Sequence, residues 1–212
     1  DIGFDRSLIG GYGHDDRVCS YPALQAILNI DDAPEYTAIT VLTDKEETGS
    51  DGNTGLNSSY LKYFIEDLAR LEGYEGRDVL RNSKCLSADV NAAYDPTWSS
   101  VFEKNNASFI NNGVCVTKFT GARGKSGTSD ASAEFCSWVK TLLEENGVLW
   151  QTGELGKVDG GGGGTVAMYI ANMDVDTIDV GVPVLSMHSP YELVAKIDVY
   201  MAYKAFLTFF TK

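Results

Sequence analysis

Residues 36–52 read YTAITVLTDKEETGSDG: an apolar run that ends abruptly among four carboxylates. The run Ala38-Ile39-Thr40-Val41-Leu42 predicts a buried strand over 36–43. Two adjacent glutamates, Glu46 and Glu47, follow at its end. Like charges at a partly buried strand end repel, so a positive partner is required nearby.

Outward from this segment the pattern alternates. Helices are predicted over 16–28, with Val18, Tyr21, Leu24 and Leu28 on one face, and over 54–71, with Leu61, Phe64, Ile65 and Leu68 inward and Gly73 as the stop. Asp15 stands where an N-cap would. Strands are predicted over 85–90, 114–119, 148–152, 177–180 and 184–187. Further helices are predicted over 129–145, carrying Phe135, Val139 and Leu142, over 165–171, and over 190–210 with Pro190 in the first turn. Strands alternating with helices predict an α/β fold, a three-layer α/β/α domain with a mostly parallel mixed sheet. Sites in such sheets lie beyond the carboxyl ends of the strands. The pentaglycine 160–164 is either a linker or a packed turn, and helical spacing directly after it favours the turn. One domain is expected over 1–212.

Composition narrows the function. With 30 acidic against 17 basic residues the net charge is −13, which excludes a broad basic surface for nucleic acid. No run of 18 apolar residues occurs, so no transmembrane helix is predicted and no membrane partner is expected. The first residues, Asp-Ile-Gly-Phe-Asp-Arg, do not read as a signal peptide, and the chain reads as beginning mid-protein. Cys19, Cys85, Cys115 and Cys136 form no CxxC pair and are expected as reduced core thiols in a cytoplasmic protein.

Four polar spots fall at predicted strand ends or helix starts: His14-Asp15-Asp16, Asp44 to Glu47, Asp89, and His188. Brought together, such carboxylates repel unless a divalent cation sits among them. Carboxylate oxygens with an imidazole suit zinc, cobalt or manganese. Neighbouring residues point in different directions, so one glutamate can bind metal while the other takes a proton from water. Each residue alone has a commoner reading. The glutamate pair reads as solvated surface, Asp15 as an N-cap, His188 as a hydrogen-bonded core histidine, and Asp89 as a turn cap.

The ordered segments GYGHDDRVCSYPALQAIL, TDKEETGSDG, SADVNAAYDP, RGKSGTSDASAEF, GGGGGTVAMYIA and DVGVPVLSMHSPYELVAKIDVYMAYKAF span residues 11–206 and together resemble, from Gly10 to Phe210, the M18 family of metallo-aminopeptidases, the aspartyl aminopeptidase and aminopeptidase I group. The resemblance implies a zinc-peptidase-like domain with two divalent ions, most simply zinc, bridged by Asp15. It implies Glu46 as general base, Glu47 and His188 as ligands to one ion, and Asp89 as ligand to the other. The implied reaction is hydrolysis of the N-terminal bond of a peptide substrate, in a homo-oligomer that in the family is a dodecamer. The family carries a further histidine ligand and a dimerisation domain before the DDR motif, and both are expected outside this chain. The Asp89 ion would then be held weakly and the isolated chain would have little activity. The alternative is a non-catalytic or incomplete subunit that keeps the fold and at most one metal.

GARGKSG, residues 121–127, is not a phosphate loop, because Phe119 stands where that motif needs glycine. A nucleotide site at Gly124-Lys125-Ser126 is therefore the weakest reading. The resemblance places this region near the substrate pocket. There Lys125 or Arg123 would pair with an acidic N-terminal side chain, or else form a solvated basic loop. Gly163 and Gly164 are assigned to the pocket wall.

Overall fold

A computed structural model describes residues 1–157 and 159–212. In chain order the elements are β1 (Leu8–Gly11), α1 (His14–Leu28), a 3-10 turn (Glu46–Thr48), α2 (Tyr60–Leu71), α3 (Gly76–Arg81), β2 (Lys84–Ser87) and β3 (Asn91–Ala92). A second 3-10 turn (Pro96–Val101), β4 (Val114–Thr117), β5 (Phe119–Ala122), β6 (Ser126–Asp130) and α4 (Ala133–Glu145) follow. The chain ends through β7 (Trp150–Thr152), α5 (Ala167–Ala171), β8 (Asp176–Gly181), β9 (Pro183–Val184), β10 (Glu192–Ala195) and α6 (Lys196–Thr211).

The centre is a mixed four-stranded sheet ordered β2-β8-β4-β7. Both outer pairs are parallel and the central β4–β8 pair is antiparallel. Every residue of β4, Val-Cys-Val-Thr, is buried. A strand covered on both faces needs no polar alternation, and β-branched side chains fill such a site well. Val114, Val116, Ile178 and Val180 form the sheet's part of the core, joined by Val182 and Val184 just beyond it, with Val139, Leu143, Ala202 and Phe206 from α4 and α6 packed into it. The hydroxyl of Ser132 accepts the Phe135 N–H at 3.1 Å and starts α4, whose Phe135, Val139 and Leu142 are buried as their spacing predicts. Asp198 in the first turn of α6 accepts the N–H groups of Asn111 and Gly113, each at 2.7 Å, and so ties the helix to the chain entering β4. Burial pushes its carboxyl up to about 6 against the opposing pull of those two bonds.

The same two chain runs pair twice, once in the main sheet and once beside it. Ser87 lies opposite Asp179 at the end of the β2–β8 ladder, and Asn91 opposite Pro183 at the start of the parallel β3–β9 ladder. The register is identical on both sides of the gap. Asp89 sits in that gap, and the backbone there passes so close to Gly181 that a Cβ on the glycine would fall 1.4 Å from the Asp89 carbonyl oxygen.

Several expectations are corrected. Residues 36–43 form no strand: Val41 and Leu42 stay 44% and 54% exposed, and no neighbouring strand among the described residues offers them a ladder. Apolar content alone does not make a strand without a partner. Asp15 is not an N-cap; the cap is Gly13, and Asp15 lies inside the first turn with φ −74° and ψ 108°. Helix α1 buries Val18, Cys19, Pro22 and Ala26, while Tyr21, Leu24 and Leu28 are exposed, because it packs through small side chains close to α6. In α2 only Ala69 is fully buried, with Leu61 and Ile65 packed on a satellite cluster of Leu56, Leu80, Ile170 and Val175. The closing helix does not begin at Pro190: residues 192–195 form β10, antiparallel to β1, and α6 starts only after it.

Candidate metal centre

Lys45, with φ 71°, turns the chain into the 3-10 turn at Glu46, and Gly49, with φ 100°, turns it out. The Ser50 N–H returns to the Lys45 carbonyl at 2.7 Å and closes the loop. Successive residues of a 3-10 turn point roughly a third of a revolution apart, so Glu46 and Glu47 diverge. The lysine adjacent in sequence does not serve them, since Lys45 Nζ pairs with Asp44 at 3.1 Å.

What meets Glu47 is a histidine. His188 Nε2 lies 3.3 Å from Glu47 Oε2 and 3.0 Å from Asp15 Oδ2. Asp15, Glu47 and His188 thus place one ligand atom each within 4.8 Å of one another, as do Asp15, Asp16 and Asp89, and Asp16, Glu46 and Glu47. Asp15 belongs to the first two groups, as a carboxylate shared between two cations must. The Asp15–Asp16 peptide is cis.

The electrostatics describe acids short of positive charge. Burial, a hydrogen bond with Asp16, and the charges of Glu47 and Asp89 push the Asp15 carboxyl up to about 9. Burial, then the charge of buried Asp179, holds Asp89 well above the usual carboxylate range. Glu46 rises to about 6 through burial and the charges of Asp16 and Glu47, with His188 pulling the other way. Carboxylates crowded in this way are relieved by cationic charge, and the donor set of hard oxygens with one imidazole suits zinc.

The other expected residues lie elsewhere. Arg123, Gly124 and Lys125 form the exposed turn between β5 and β6, a hairpin rather than the strand-to-helix loop that a phosphate site needs. The glycine run packs against this hairpin. The Gly121 N–H reaches the Gly163 carbonyl at 2.8 Å and the Arg123 N–H reaches the Gly161 carbonyl at 3.1 Å. Gly162, at φ 95°, comes so near that a Cβ would fall 2.2 Å from the Gly121 oxygen, so the run is a packed turn. His14 joins none of the ligand groups, and its buried Nε2 has no hydrogen-bond partner.

Sequence reasoning missed three acids. Asp16 stood beside Asp15 without a role. Asp179, inside apolar β8, takes a hydrogen bond from Ser87 Oγ at 2.7 Å, and burial pushes its carboxyl up to about 7. Glu192 is almost fully buried. The only sequence signal for the last two is an acid set in an apolar strand pattern. The four cysteines are free; Cys19, Cys115 and Cys136 are buried. No described helix is long and apolar enough to cross a membrane.

The family model for aminopeptidase I zinc metalloprotease (M18) matches residues 1–210. A probable M18 family aminopeptidase 1 of Borreliella afzelii is 46% identical over 216 residues, covering 99% of this chain and 47% of the relative. Vacuolar aminopeptidase 1 of Saccharomyces cerevisiae is 30% identical over 223 residues, covering 97% and 42%. The crystal structure of an M18 aminopeptidase from Thermotoga maritima superimposes with a TM-score of 0.94 at 43% identity, covering 100% of this chain and 48% of that one. A yeast mApe1 dodecamer superimposes at 0.81 with 26% identity, covering 99% and 47%. The chain spans about half the length of the curated relatives it matches.

Proposed function

The chain belongs to the M18 family of aminopeptidase I zinc metalloproteases, and from that premise we propose that residues 1–212 are part of the catalytic domain of a dinuclear aminopeptidase that releases the N-terminal residue of a peptide. The observation that carries the reading is the double membership of Asp15, which lies within 4.8 Å of Glu47 and His188 on one side and of Asp16 and Asp89 on the other. Asp15 would bridge two ions, with Glu47 and His188 holding one and Asp89 the other. Zinc fits best, and cobalt or manganese would bind the same donors. A three-layer α/β/α arrangement of the complete domain accords with a mixed sheet that has helices packed on it.

Two ions held by these residues would supply Lewis acidity toward the scissile carbonyl and lower the pKa of a water toward neutrality. The protein's own part falls to Glu46. It is half-buried, diverges from Glu47, and has a carboxyl raised toward 6, which suits a group that takes a proton near neutral pH and gives it up again. Glu46 accepts the water proton on a carboxylate oxygen and delivers it to the leaving nitrogen as the peptide C–N bond breaks. Lys125 or Arg123, exposed on the hairpin, would pair with an acidic first side chain, and Gly163 and Gly164 would wall the pocket against that hairpin. A homo-oligomer, by analogy with the dodecameric yeast protein, and a cytoplasmic location, supported by four free cysteines, complete the proposal.

A second reading is favoured by one observation: among the described residues no histidine joins the Asp15, Asp16 and Asp89 group. The ion at Asp89 would then take its imidazole from outside these residues, or the protein would be a non-catalytic subunit with one metal. Incubating the purified full-length protein and zinc with a tripeptide and its N-acetylated twin tests both. Release of the first amino acid from the free peptide alone, with two zinc equivalents bound, supports the enzyme. One equivalent and no release overturns it in favour of the second reading.

A further inference from the structure

Glu192 is 2% exposed, and no lysine, arginine or histidine among the described residues forms an ion pair with it. A buried carboxylate is retained only where something compensates it. Both of its oxygens are occupied. Oε1 accepts the backbone N–H of His188 at 2.8 Å, and Oε2 accepts the backbone N–H of Asp15 at 3.2 Å. These two residues come from opposite ends of the chain, and their side chains meet at 3.0 Å. His188 holds φ 64°, a left-handed backbone that a histidine adopts only when its surroundings impose it. Glu192 is itself fixed, because it pairs with Gly11 in the β1–β10 ladder just before α1 begins.

We infer that Glu192 is a positioning residue for the metal centre: one buried carboxylate staples the backbones of Asp15 and His188 to a common strand, so that their side chains are set for a cation before it arrives. The inference rests on the metal-centre reading above.

The test is Glu192→Gln in the full-length protein, titrated with Co²⁺ alone and read by the visible spectrum of the bound ion. Glutamine keeps the shape but offers one acceptor, and its amide N–H₂ faces the other backbone N–H. The expected result is an apo protein with unchanged circular dichroism, Co²⁺ affinity lowered about 10- to 100-fold, and a shifted d–d spectrum, which a merely structural residue would leave alone. Equal affinity and an unaltered spectrum in the variant, with wild type binding Co²⁺ normally, overturn the inference and leave the metal centre standing. Failure of wild type to bind overturns the metal centre itself. If the variant does not fold, amide hydrogen exchange of the wild-type apo protein decides. Strong protection of both the Asp15 and the His188 N–H supports the staple, and exchange of either at the rate of open chain refutes it.

Discussion

Replacing Gly181 by alanine tests whether the gap between the two parallel ladders holds Asp89 in place. The added Cβ would lie 1.4 Å from the Asp89 carbonyl oxygen and 2.5 Å from its carbonyl carbon. A close C···O contact is about 3.3–3.6 Å, so the two backbones must part by about 2 Å. Neither yields freely. Gly181 is paired with Cys115 in the central sheet, and Asp89 is pinned on both sides by the Ser87–Asp179 pairing and by the Asn91 N–H on the Val182 carbonyl at 3.0 Å. Overpacking of this kind costs about 1–3 kcal/mol, which for a chain of this length lowers Tm by about 2–12 °C. The larger effect falls on metal. Ligand distances tolerate only about 0.2 Å, so a shift of even half the required size would take Asp89 out of reach of the ion proposed for it, while Asp15, Glu47 and His188 would keep the one proposed for them. Zinc titration calorimetry of the full-length protein is expected to find the wild-type stoichiometry reduced by one equivalent. Wild-type stoichiometry, affinity and melting temperature in Gly181→Ala would refute the reasoning.

Glu46→Gln is expected to lower kcat by about 10²–10⁴-fold with zinc content intact; measured turnover close to wild type would remove Glu46 from the proton transfer. Burial pushes the Asp198 carboxyl up to about 6 from an ordinary 3.8. Its raised value means that its share of stability is full below about pH 4 and is lost as pH rises through 6. Wild type should therefore lose up to about 3 kcal/mol more than Asp198→Asn between pH 4 and 7, as read by urea unfolding at both pH values; parallel pH curves for the two proteins would contradict this.

Helix α4 was readable because its cap and its period agree: Ser132 stops the backbone where Phe135, Val139 and Leu142 begin a single face. The buried face of helix α1 escapes a periodicity of large side chains, because a close helix–helix contact selects small ones such as Ala26. The run 192–195 is too short for periodicity to separate strand from helix, and only its ladder with β1 decides. At the site, the acids in motifs could be found from their neighbours in sequence. Glu192 and Asp179 could not, because each acts through a partner far along the chain, the backbones of Asp15 and His188 in one case and Ser87 in the other.

The matching register of the β2–β8 and β3–β9 pairings on either side of Asp89 has a consequence for how this stretch can change over generations. Adding or removing one residue between 87 and 91 would turn every later side chain of that run to the opposite face, whereas exchanging a side chain there disturbs one position. Drift in this segment should therefore take the form of replacements at constant length, with insertions and deletions confined to loops such as the one joining α1 to the Glu46 turn.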